Sequence, residues 1–89
     1  MFYPYMTFPD NTEVTHSKLS DDGPVKVYFE KPVHGGFYHA TCLLPSYKWS
    51  DVEGYSEEEI TELTAYIRHN AHLIMEFAAE GGFANAAAV

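Results

Sequence analysis

Eighty-nine residues leave room for a single domain over 1–89. With 46% hydrophobic and 16% aromatic residues the chain can build a core, which excludes a disordered polymer. A net charge of −8 argues against direct contact with nucleic-acid phosphates, and no apolar run approaches the length of a membrane span.

Residues 1–24 read as an N-terminal hairpin. Residues 3–8 are aromatic and β-prone, Pro9-Asp10-Asn11-Thr12 has turn composition, and 13–19 alternate as a second strand. Pro4 confines the first strand to a sheet edge. The N-terminus also has no Lys or Arg before Asp10, unlike a secretory leader. Ser20-Asp21-Asp22-Gly23-Pro24 is a turn.

A central hairpin is expected over 25–44. Val25, Val27 and Phe29 alternate with Lys26, Tyr28 and Glu30, giving one apolar face. Gly35-Gly36 turns the chain, and 37–44 is apolar on both faces, as in an interior strand. Pro45 ends it, and 45–55 reads as a loop holding Tyr47 and Trp49.

The strongest local signal lies next. Ser56 and Glu59 have capping-box spacing, Tyr55 and Ile60 can close a hydrophobic staple, and Glu57 and Glu58 suit the positive end of a helix. Ile60, Leu63, Ile67, Ala71, Ile74 and Ala78 then hold one face. Gly81-Gly82 stops a helix over 57–80, leaving a tail over 81–89. The fold expected is therefore α+β: an antiparallel sheet of three to four strands packed on one long C-terminal helix.

That helix would span about 36 Å, against about 26 Å for a strand over 37–44. The overhang leaves Leu73, Ile74 and Phe77 in need of cover. A twofold partner supplies it in one reading, making these residues a homodimer interface. In the other, Phe2, Tyr3 and Tyr5 fold back over them.

Chemistry-bearing groups are sparse. His69, His72 and Glu76 share the helix side opposite the apolar stripe and could hold a metal ion, although they lack the HExxH spacing. Cys42 and His39 point to opposite faces of one strand, so they do not form a nucleophile–base pair. A lone cysteine excludes an intrachain disulfide, reads as a small buried hydrophobe, and fits a reducing, cytoplasmic setting. No catalytic residue and no cofactor is assigned. Asp51, Glu53, Glu57, Glu58, Glu59 and Glu62 gather at the helix entrance, where they serve the helix dipole and can also dock a basic partner. Tyr47 and Trp49 would join that partner surface.

Val25-Lys26-Val27-Tyr28-Phe29-Glu30, then Gly35-Gly36-Phe37-Tyr38, Pro45 and Glu53-Gly54-Tyr55-Ser56-Glu57-Glu58 together resemble the partial-RNase-H-like domain of HicB-type antitoxins. The resemblance covers 25–80. Ser46 stands where that family carries the Gly of a Pro-Gly-Cys step, and an extra N-terminal hairpin precedes the matched part. It implies a sheet-plus-helix module that dimerises and neutralises a basic protein. The chain is thus expected to be a small acidic, non-catalytic, antitoxin- or inhibitor-like interaction protein. The alternatives are a metal protein or enzyme using His69, His72 and Glu76, and a structural oligomerisation module.

Overall fold

Alternation along Val25, Val27 and Phe29 puts three fully buried side chains on one side of a strand and Lys26, Tyr28 and Glu30 on the other. A computed structural model, which describes residues 2–19 and 23–81, builds the sheet outward from that strand. The strands are β1 (Tyr3–Thr7), β2 (Glu13–His16), β3 (Val25–Val33), β4 (Gly36–Leu44) and β5 (Lys48–Glu53). They form one antiparallel sheet in sequence order, β1-β2-β3-β4-β5. One helix, α1 (Glu57–Glu80), covers one face. Most of the turn expected at 20–24 and of the tail at 81–89 lies outside the described residues.

The α+β architecture is as expected, with five strands in place of three or four. The additional strand, β5, occupies the segment read as a loop. Its sequence hides it: Trp49 alone turns inward to pack on the core, while Lys48, Ser50, Asp51, Val52 and Glu53 are exposed. A register shift opposite His39 and Thr41 and a left-handed Asp51 (φ 52°) break its alternation further. At the far edge β1 carries Pro4 and its own register shift between Pro4 and Met6.

The core lies between sheet and helix. Val14, Val25, Val27, Phe29, Cys42 and Leu44 meet Leu63, Ile67, Ile74 and Ala78. Phe29 is its centre, 5.8 Å from the Trp49 ring and 6.3 Å from that of Tyr66. Both edge strands send aromatics to seal the helix flanks. Trp49 donates its indole N–H to Thr64 Oγ1 at 3.0 Å. On the other side Phe8 packs edge-on against Tyr66 at 4.8 Å, and Tyr5 lies 6.0 Å from Phe77 while donating to Asn70 Oδ1 at 2.7 Å.

This packing corrects part of the interface expectation. Ile74 is fully buried in the chain's own core, and Phe77 is half-buried beside Tyr5, so the N-terminal strand supplies cover from within the chain. The helix end is tied down as well, since the Leu19 amide donates to the Ala78 carbonyl at 3.0 Å. Leu73 stays 44% exposed.

The helix begins and ends as its sequence dictates. Ser56 Oγ accepts from the Glu59 amide at 3.1 Å, and the Ser56 amide donates back to Glu59 Oε1 at 2.9 Å. Gly81 closes it in the left-handed region, φ 83°. Ser56→Ala should cost about 1 kcal/mol, the usual value of a lost N-cap. An unchanged denaturation midpoint would show that the cap carries no stability.

Candidate functional surface on the uncovered sheet face

A sheet covered on one side leaves its second face to solvent, and register decides what that face displays. Here it displays three rows running across the strands. Glu13, Glu30, His39 and Glu53 are successive cross-strand partners, forming an acidic row. Thr15, Tyr28, Thr41 and Ser50 form the next, a row of hydroxyls. Lys26, Leu43 and Lys48 form the third. Successive rows stand two residues apart along β2, β3 and β4, so the acidic and lysine rows are about 13 Å apart.

Local contacts fix the groups in these rows. His39 Nε2 donates to Glu53 Oε2 at 2.7 Å. The His39 ring stacks on Tyr28 at 6.3 Å, and the Tyr28 hydroxyl donates to Glu30 Oε2 at 3.1 Å. Partial burial, then the Glu30 carboxylate, pushes the Tyr28 phenol above its ordinary range and keeps it a donor. Phe2 meets Tyr28 edge-on at 5.9 Å. Between them lies a hollow of about 670 Å³ lined by Phe2, Thr15, Tyr28, Thr41 and Leu43, with Glu13, Glu30 and Asp51 against Lys26. Thr15 Oγ1 is buried there with no hydrogen-bond partner.

The acidic row does not stop at the sheet. It lies at the end where β2 begins and β5 ends, and β5 leads through Gly54 into the first turn of α1, where Glu57, Glu58 and Glu59 stand. Asp10, in the β1–β2 turn, belongs to the same end and holds Lys31 at 3.6 Å. Asp51, Glu53, Glu57 and Glu58 therefore sit on or beside one acidic end of the molecule, all exposed. Tyr47 and Trp49 do not join them as a free patch. Trp49 is committed to Thr64 and Phe29, and the Arg68 guanidinium lies 4.7 Å over the Tyr47 ring.

Two carboxylates here titrate abnormally. Hydrogen bonds from Ser56, its backbone amide foremost, hold Glu59 below the usual carboxylate range. Thr12, through its side chain and then its amide, does the same for Asp10, with Lys31 adding to it. A carboxyl depressed in the folded state stabilises the fold above its unfolded pKa, and loses that contribution as pH falls through its folded value. The denaturation midpoint should accordingly fall on acidification through and below the ordinary carboxylate range. Glu59→Gln should flatten part of that fall, and an equally steep profile in the variant would dissociate it from the cap.

The other candidates separate in space. His69, His72 and Glu76 are exposed along α1, and among the described residues no three His, Cys, Asp or Glu side chains gather closely enough to hold a metal ion. Cys42 is fully buried under the helix and burial pushes its thiol up to about 11, while His39 lies on the opposite face. No helix among the described residues is long and apolar enough to cross a membrane.

The fold and surface together define an antiparallel meander with one covering helix and an open, acid-bordered face. No protein-family model matches the chain, and neither does a curated protein or a solved structure.

Proposed function

We propose that the chain is a non-catalytic interaction protein that docks a basic protein partner through its acidic end, in the manner of an antitoxin or inhibitor. One observation carries this reading. The row Glu13–Glu30–Glu53 continues into Glu57 and Glu58, and Lys31, a cation at this end, is already paired with Asp10. Carboxylates gathered on one end, with that cation engaged, raise the encounter rate with a positive surface and align it. The likeness to HicB-type antitoxins over 25–80 agrees with such a role. It would include a homodimer, for which the exposed Leu73 is the remaining helix contact.

The protein co-purifying from the native cell should elute as salt rises, because exposed charge pairs are screened within about 8–10 Å at physiological ionic strength. Glu53→Lys with Glu58→Lys should weaken its capture about tenfold. Capture indifferent to both salt and charge reversal would overturn the proposal.

A further inference from the structure

We infer that the hollow on the uncovered sheet face binds a small monoamine with a flat apolar body, at a site that borders the proposed docking end and shares Glu13 and Glu30 with it. Its size is the first argument. About 670 Å³ falls within the range of small-molecule sites, roughly 300–1,000 Å³.

Its walls give the body of the ligand. Phe2 and Tyr28 meet edge-on and, with Leu43 across the hollow, leave a corner into which a third ring can pack. A cation held near the Tyr28 face gains further from the ring quadrupole.

Charge fixes the head group and its direction. Glu13, Glu30 and Asp51 line the hollow, and neither Glu13 nor Asp51 has an ion-pair partner among the described residues. Lys26 lies beyond the hydroxyl row, about 13 Å of strand from Glu30. Its ammonium opposes a second positive group at that end, so the site selects a monoamine over a diamine. A second copy of the chain is a poor occupant, because it would set its own carboxylates against these.

Amide resonances followed during titration with phenethylamine test the inference on the intact chain. Thr15, Tyr28, Thr41 and Ser50 should shift saturably in the millimolar range, the strength open to a ligand of so few atoms. Phenylpropionate, of similar shape and opposite charge, should leave them in place, and putrescine should bind more weakly than phenethylamine. Glu13→Gln with Glu30→Gln should weaken phenethylamine about fivefold. Lys26→Glu is a second, independent variant and should bring putrescine level with phenethylamine.

Equal response to phenylpropionate, or shifts confined to α1, would overturn the site. An arginine-rich peptide that moves these amides while phenethylamine does not would give the hollow to a protein partner and equally overturn it. Glu57→Lys with Glu58→Lys separates the two functions, since it should weaken salt-sensitive docking about tenfold and leave the phenethylamine shifts unchanged.

Discussion

Phe29→Ala should leave the chain without a cooperative unfolding transition near physiological temperature. Phe29 is fully buried at the centre of the core, where the Trp49 ring from β5 and the Tyr66 ring from α1 both close on it. Truncating a buried aromatic costs about 3–5 kcal/mol, the lost transfer energy plus the cavity left behind. A domain of this size is stabilised by about 4–13 kcal/mol in all. The loss is therefore comparable with the lower end of that reserve, and it also unseats the two elements that Phe29 joins. Phe29→Leu, which keeps most of the volume, should cost about 1.5 kcal/mol and keep the transition. Urea denaturation followed by tryptophan fluorescence reads both, because Trp49 reports on the same cluster. A Phe29→Ala protein within 1 kcal/mol of the parent would mean that the core closes without this ring.

Gly54→Ala is the second large effect expected, and it comes from backbone rather than bulk. Gly54 joins β5 to α1 with φ +92°, a region that residues with a Cβ rarely adopt. A Cβ placed there would run into the Tyr38 ring at Cδ1 and Cγ. Tyr38 cannot retreat freely, since it packs edge-on against Tyr55 at 5.6 Å, one residue before the helix cap. Strain and overpacking of this kind each cost about 1–3 kcal/mol. The substitution should lower stability by about 2–6 kcal/mol and loosen the first turn of α1. Amide exchange at 57–60 would report the loosening. Unchanged protection there would show that β5 can turn into the helix without a glycine.

The contrast between these two sites explains what a linear reading can reach. The helix, 57–80, is legible to the residue because its start rests on hydrogen bonds between Ser56 and Glu59, three positions apart. The motif Gly54-Tyr55-Ser56-Glu57-Glu58 has the same local basis: a left-handed glycine, a ring to pack, a cap and two dipole-facing acids. The opposite facing of Cys42 and His39 also follows from alternation alone. Strand β5 was hidden because Trp49 is its one inward residue, and a single aromatic in a polar run carries no period.

The uncovered face was less legible still. Glu13, Glu30, His39 and Glu53 lie far apart in the chain and become neighbours only through the register of three strand pairs. The acids near the helix were visible as a cluster; their continuation across the sheet was not. Ile74 shows the reverse error. Its spacing gives the right helix face, but whether that face meets the chain's own sheet or a second copy depends on tertiary contacts, and Ile74 lies in the chain's own core cluster.

The irregularities at the two outermost strands have a consequence for how copies of this molecule meet. An unpaired strand edge is a template on which an identical edge can register, and repeated matching of that kind grows a fibre. Pro4 removes a main-chain donor from one border, and the shift beside it puts the remaining groups out of step. At the other border the left-handed Asp51 and the register shift opposite His39 and Thr41 interrupt the regular strand. Neither border offers a straight ladder of donors and acceptors. A sheet with one broad face open to solvent can thus remain open without seeding its own polymerisation.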